Sequence, residues 1–362
     1  MKLYRILLKP KGIIEKIPSS ETIFGALCWG IRIVYSEEEL ITLLNNFKDS
    51  SKKFIPSSAF PLLKFKNNNG CLYCYPNLIL PDPSSKEMIN LAQRYTPKIS
   101  NNIDEIQYSK RLIISEYKKF KEIKYLSETL FKRLVNGEKI IKLYEEYLNE
   151  RLKIIEGILL ASEDFDKIEN EKLMEKRTLL RNKIDRLSFS TVPSGDVYYE
   201  EVVYLNSEIL QLYFLLLTDD INFFIPIFRW LSDTGIGGNR TVGKGYYEIE
   251  VKEEVNLFQN VDSNIFISLS KYLPEEGEID WRSENNYYKL LSYQPRVDTM
   301  FFKGGEFIKN RITYFSEGSI LQAKEKKEYY GKLYPSAEFQ GKIIYQSGFT
   351  IPVFIKRREN EN

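Results

Sequence analysis

Apolar and polar positions divide the chain into stretches of different character. Leu3, Ile6, Leu7 and Leu8 predict a first strand over residues 3–9, which Pro10 and Gly12 end. Pro18-Ser19-Ser20-Glu21-Thr22 follows. Ser19 or Ser20 can cap a helix through Ile23, Phe24, Ala26, Leu27 and Ile31. That helix is apolar on one side, so it should pack on a sheet. Its first turn presents unpaired backbone N–H groups, a ready anion site. Residues 54–61, Phe-Ile-Pro-Ser-Ser-Ala-Phe-Pro, read as a short turn. Asn67-Asn68-Asn69-Gly70 reads as the turn of a hairpin whose second strand covers residues 71–76.

From about Ser84 to Arg186 the pattern changes. Lys, Glu, Leu and Ile dominate, and no proline occurs between Pro97 and Pro193. Residues 120–126 look strand-like. Ser127 should cap a helix that ends near Gly137, and a longer helix is expected from Glu138. This stretch is read as a largely helical insertion over about 84–180, its charges mostly a solvated face.

Residues 198–205 and 209–217 are β-rich. Phe224, Ile227, Phe228 and Leu231 share one face of a helix over 222–231, and 246–251 alternates like a strand. Between helix and strand lies a glycine-rich loop. With the first strand and helix, this order predicts a split β-α-β unit of the ferredoxin or RRM kind. A second strand-rich block follows, through residues 266–269, 287–293, 342–345 and 352–355. The expectation is an α+β protein of two ferredoxin-like (RRM-like) domains, 1–253 with the insertion and 254–362.

The length of 362 residues suits two domains. The 25 Tyr and 22 Phe suit strand cores, and their rings can also stack on bases. Net charge is only +2, but it is unevenly spread. Residues 303–358 carry 11 Lys/Arg against five Glu, while 251–284 carry eight acidic residues against three basic ones. Such a split suits a protein with two kinds of neighbour, one of them polyanionic.

Histidine is absent, which removes Ser-His-Asp and Cys-His chemistry and the commonest metal ligand. Cys71-Leu-Tyr-Cys74 has C-x-x-C spacing, but only Cys28 remains and a structural zinc site needs about four ligands. No metal and no cofactor are therefore expected. The odd cysteine count and the lack of a signal-like segment fit a reducing cytoplasm. The most apolar stretch, 210–231, is cut by Asp219 and Asp220, so no membrane span is expected.

The glycine loop runs Gly235-Ile-Gly237-Gly238-Asn-Arg240-Thr-Val-Gly243-Lys244-Gly245. Glycines let backbone N–H groups approach a phosphate, Arg240 can fork two bonds to one, and Lys244 adds charge. Gly238-x-x-x-x-Gly243-Lys244 imitates a P-loop. A nucleotide-binding loop, however, needs Ser or Thr where Gly245 stands, and it leads from strand to helix rather than from helix to strand.

With this loop in view, the chain resembles the RAMP superfamily of CRISPR proteins. More narrowly it resembles the subunit of type III-A (Csm) complexes that caps the crRNA 5′ end. Four further stretches carry the likeness: Ser20-Glu-Thr-Ile-Phe-Gly25-Ala-Leu-Cys-Trp29; residues 54–61; Arg181-Asn182-Lys-Ile-Asp185-Arg186, leading to Gly195 and Tyr198-Tyr-Glu-Glu; and Glu317-Gly318-Ser319 with Tyr330-Gly331. The likeness spans nearly the whole chain. It implies two ferredoxin-like domains, a thumb-like β-hairpin near 181–201 and binding of the repeat-derived 5′ handle. It also implies contact with the large polymerase-domain subunit and the repeating backbone subunit, and it brings no catalytic residues. The candidate RNA-binding residues are Ser20, Thr22, Ser57, Ser58, Phe60, Arg181, Asn182, Arg186, Gly235, Gly237, Gly238, Arg240, Gly243, Lys244 and Gly245.

Each has a plainer reading: Ser20 and Thr22 as caps, Ser57 and Ser58 as a turn, Phe60 as core. Asp185 could be a catalytic carboxylate or an ion-pair partner that orients Arg186. Two other functions compete with the binding subunit. One is a crRNA-processing endoribonuclease, which without His would need a Tyr or Lys site. The other is the equivalent subunit of a type III-B (Cmr) complex.

Overall fold

The computed structural model describes residues 1–65, 70–99, 103–168, 172–182, 184, 188, 190–191, 197–254, 261–295, 308–339 and 341–356. Arg186, Asp185, Gly195 and most of the expected Asn67–Gly70 turn lie outside the described residues.

The chain begins β1 (Lys2–Pro10), α1 (Ser20–Val34), α2 (Glu37–Asn45), β2 (Phe54–Pro56), β3 (Phe60–Lys64) and β4 (Cys71–Pro76). The next stretch holds α3 (Ser85–Ile99), α4 (Ile103–Phe120), β5 (Tyr125–Ser127), α5 (Glu128–Val135), α6 (Ile140–Leu148), β6 (Leu152–Ile155), β7 (Ile158–Ala161) and α7 (Ser162–Asp166). Then come β8 (Met174–Asn182), β9 (Val197–Leu205), β10 (Leu210–Thr218), α8 (Ile221–Thr234) and β11 (Tyr247–Glu254).

One sheet runs through this part in the order β11-β1-β10-β3-β4-β5-β7-β6, with β2 also on β10. All nine residues of β10 are buried, because both faces of the sheet are covered. On one face Ile6, paired with Phe214, points at α1 and α8, where Phe214 meets Phe228 edge-on at 6.4 Å. On the other face Tyr213 packs against Phe60, Tyr73 and Tyr75. Phe131 of α5 stacks on Tyr75 at 4.6 Å and closes that face. Among the described residues, the face of this sheet that carries Tyr213, Phe60, Tyr73 and Tyr75 is thus not an open aromatic reading surface like that of an RRM.

The expected helical insertion is more mixed than its composition implied. It carries α3 to α7, but β5, β6 and β7 extend the central sheet. β6 and β7 pair antiparallel through Glu156 (φ 47°) and Gly157 (φ 83°), a two-residue turn with both residues left-handed. The strand expected over 120–126 is instead the end of α4 followed by the short β5. Ser19 does not cap α1 through its side chain; its Oγ donates to Glu21 Oε1 instead. β8 and β9 form a long antiparallel hairpin, from Met174 opposite Leu205 to Asn182 opposite Val197.

The remaining part contains β12 (Ile265–Ser268), β13 (Leu290–Tyr293), β14 (Ile312–Phe315), β15 (Ile320–Gln322), β16 (Leu333–Phe339), β17 (Lys342–Ser347) and β18 (Pro352–Phe354). They form one three-stranded sheet, β15-β12-β18, and two hairpins. Among the described residues no helix follows α8 except a single 3-10 turn, so helices of a second ferredoxin-like unit are not among them. β17 packs on α1, which joins the two parts. No helix among the described residues is long and apolar enough to cross a membrane.

Candidate nucleic-acid interface

The glycine loop begins where α8 runs out of helix. Gly235 takes φ 81°, and its N–H closes the last turn onto Leu231 O at 2.7 Å. Ile236 N donates to Gly245 O, and Gly245 N donates to Ile13 O, so the two ends of the loop are tied at a neck. A side chain at Gly245 would place Cβ 2.3 Å from Ile236 O, and φ there is 71°. Glycine is required at that neck by sterics and by backbone conformation together. Gly237 has φ 101° but open space beside it, and Gly238 lies beside Glu15. Asn239 (φ 57°) leads into a one-turn 3-10 helix, Arg240–Val242, which Gly243 (φ 86°) ends.

The loop forms one wall of a cleft of about 830 Å³. Residues 14–18 and the exposed side of α1, including Thr22, Gly25 and Trp29, form a second wall. Tyr293, Gln294, Lys309 and Gln346 of the later part form a third. Gly237, Gly238, Arg240 and Gly245 line this cleft. Aromatic and cationic groups meet in it. The Lys16 ammonium lies 5.2 Å from the Tyr293 ring centre, and Arg240, Lys309 and Trp29 line the same cleft. Such a mixture can hold a single strand by phosphate contact and base stacking.

The other expected residues divide sharply. Ser20, Ser57, Ser58 and Phe60 are buried. Ser20 Oγ accepts from Lys271 N at 3.0 Å, and Ser58 Oγ accepts from Ser20 N at 2.9 Å while donating to Glu317. Ser57 Oγ accepts from Leu215 N and donates to Ser58 O. Phe60 packs edge-on to Tyr213. Ser20 and Ser58 serve the junction between the two parts of the chain, whereas Ser57 and Phe60 bind within the first part. In the same junction Lys271 Nζ donates to Glu21 Oε1 at 2.6 Å and to Ser19 Oγ at 3.1 Å. Burial raises the Glu317 carboxyl above the usual carboxylate range, with the Ser58 bond opposing it.

Lys244 is fully buried and its Nζ lies 2.5 Å from Glu200 Oε1. It is a contact by distance, out of line for a hydrogen bond. Arg181 Nε donates to Glu200 Oε2 at 3.3 Å. Asn182 is exposed on β8, and Gly243 is exposed on the loop. Sequence reasoning did not single out Tyr293 or Lys309; Trp29 and Glu200 entered only as parts of motifs. Tyr293 and Lys309 are far from the loop along the chain, and no local periodicity reveals their convergence.

The two parts of the C-x-x-C pair diverge. Cys71 is exposed and Cys74 is buried, with its thiol pushed up by burial. Among the described residues no three His, Cys, Asp or Glu side chains gather where a metal could be held.

No family model matches the chain. It is 26% identical over 330 residues to the CRISPR system Cms protein Csm4 of Thermococcus onnurineus, an alignment covering 89% of this chain and 87% of that protein. It is 24% identical over 345 residues to the protein of the same name from Methanocaldococcus jannaschii, covering 88% and 85%. Its fold is similar to a chain of a Csm3-Csm4 subcomplex of the type III-A CRISPR-Cas interference complex, with TM-score 0.60, 17% identity and coverage of 98% and 100%. It is also similar to a chain of a Csm1-Csm4 cassette in complex with pppApA, with TM-score 0.53, 18% identity and coverage of 99% and 100%. Sequence likeness over nearly the whole length and a shared fold together support a RAMP-type protein of the Csm kind.

Proposed function

We propose that this chain is a non-catalytic, crRNA-binding subunit of a cytoplasmic type III-A effector complex. In this reading it caps the 5′ handle and bridges the large polymerase-domain subunit to the repeating backbone subunit. The observation that carries it is the cleft, where a glycine-rich loop faces aromatic and cationic side chains from a distant part of the sequence. The strand order β11-β1-β10-β3, with α1 after β1 and α8 after β10, supports a ferredoxin-like first unit. The related proteins' names place them in Csm assemblies, with Csm3 in one structure and Csm1 in another. The long β8–β9 hairpin, with Tyr199 77% exposed at its flank, supports the thumb role.

Catalysis is not part of the proposal. A His-free chain would need a Tyr or Lys to handle the 2′-hydroxyl proton. The tyrosines whose ionisation is displaced are shifted upward, mainly by burial, which disfavours the phenolate a base would use. The test is co-expression with neighbouring complex subunits, followed by crosslinking of the recovered RNA. Crosslinks between this chain and 5′-terminal nucleotides are expected. Crosslinks confined to internal or 3′ nucleotides sink the capping role, and cleavage of repeat RNA by the isolated chain sinks the non-catalytic one.

A further inference from the structure

Three donors from two separate elements converge on one carboxylate. Glu200 stands on β9, and its Oε1 lies 2.5 Å from Lys244 Nζ and 3.4 Å from Asn239 Nδ2, both of the glycine loop. Its Oε2 accepts from Arg181 Nε of β8 at 3.3 Å. Asn239 Nδ2 also donates to Glu15 Oε2 at 3.2 Å, so a second carboxylate rests on the same loop. Lys244 has no exposed surface, whereas the Glu200 side chain keeps 17% of its own. The movable member of the pair is therefore the acid.

A buried ammonium wants several well-aligned acceptors, and Lys244 has one close oxygen out of line. A phosphodiester carries the same single charge as a carboxylate on two unesterified oxygens. It would meet the same donors, and nothing lies within 4 Å of where a Cβ would stand at Gly243, next to Lys244 in the chain.

We propose that Arg181, Asn239 and Lys244 form a phosphodiester subsite, and that the Glu200 carboxylate is its stand-in occupant in the RNA-free chain. The inference rests on the RNA-binding reading above and adds an exchange to it. An entering phosphate displaces Glu200, and the hairpin and the loop, now joined by an internal ion pair, become joined through RNA. Glu200 is held below the usual carboxylate range first by Lys244 and then by Arg181, so it is charged and competes throughout the neutral range.

Binding of the full-length chain to a fluorescent RNA bearing the 5′ handle, measured at several salt concentrations, tests the exchange. Glu200→Gln removes the competing charge. It should tighten binding by roughly threefold or more at low salt and steepen the salt dependence by up to ~0.7 per cation released. That gain should shrink in Glu200→Gln/Lys244→Met, because one of the two released cations is gone and only Arg181 remains. Arg181→Gln perturbs only a partly exposed member and should weaken binding and flatten the slope by ~0.7, with an unchanged melting temperature. It keeps the test alive should Glu200→Gln fold poorly. Wild-type binding with affinity and slope unaltered in Arg181→Gln overturns the subsite alone and makes Glu200 a fixed clamp. Tightening by Glu200→Gln that is undiminished in the double variant overturns it too. A wild-type chain that binds no RNA removes the RNA reading and the subsite with it.

Discussion

The beginning of α1 and the glycine loop face the same cleft, yet their polar groups meet different fates. Around the start of α1, every serine hydroxyl finds a partner within the chain. Ser20 takes the Lys271 N–H, Ser57 the Leu215 N–H and Ser58 the Ser20 N–H. The later part of the chain seals them from solvent. At the loop, Gly238, Asn239 and Gly243 stay exposed, and Asn239 is reached by the exposed Glu15 and the half-buried Glu200. The first region is a weld and the second a socket. What separates them is whether another element of the same chain arrives to cover them.

Disrupting the weld should cost the most. Lys271→Ala leaves Glu21 buried without its countercharge and should destabilise the chain by about 3–5 kcal/mol. Denaturant unfolding measures this, and a loss under about 1 kcal/mol would mean that water compensates the pair. Within the socket, the neck and the lip should separate. Gly245→Ala drives Cβ against Ile236 O and should cost about 2 kcal/mol or more in stability. Gly237→Ala meets no neighbour and should cost about 1 kcal/mol through φ alone. Equal melting temperatures for the two variants would contradict the described neck. Arg240→Ala should leave melting unchanged, weaken handle RNA binding equally for RNAs of different sequence and flatten the salt slope by ~0.7.

The smallest effect is a pH dependence inside the weld. Glu317 has a raised folded pKa, so its ionisation opposes folding. Its destabilising contribution is absent below the usual glutamate pKa and grows as pH rises toward the folded value. Glu317→Gln keeps an acceptor for Ser58 and should melt slightly higher than the parent at neutral pH. The difference should close on acidification below the usual glutamate range. A parent that melts higher at neutral pH would show that the carboxylate is wanted charged.

The elements around the socket were legible because their signals are local. The strand expected over 3–9 is β1, and the apolar face of Phe224, Ile227, Phe228 and Leu231 lies within α8. The β6–β7 hairpin was not legible. Its four-residue strands sit in Lys- and Glu-rich sequence, and its turn places Glu156 in a left-handed conformation that usually favours Asn, Asp or Gly. The split between weld and socket was hidden for another reason. Ser20 and Lys271 are 251 residues apart, and Glu200 and Lys244 are 44 apart, distances over which composition carries no pairing information.

Helix α5 has a practical consequence for anyone trimming this protein. It belongs to a segment that looks removable in sequence, yet Phe131 lies directly on Tyr75, over a sheet face carrying Phe60, Tyr73 and Tyr213. Excising residues 84–170 to obtain a minimal version would strip the cover from a row of aromatic rings and leave β4 as a raw sheet edge. The shortened polypeptide should precipitate or self-associate, whatever happens at the loop. Parts that arrive late along the chain can be masonry in its first wall.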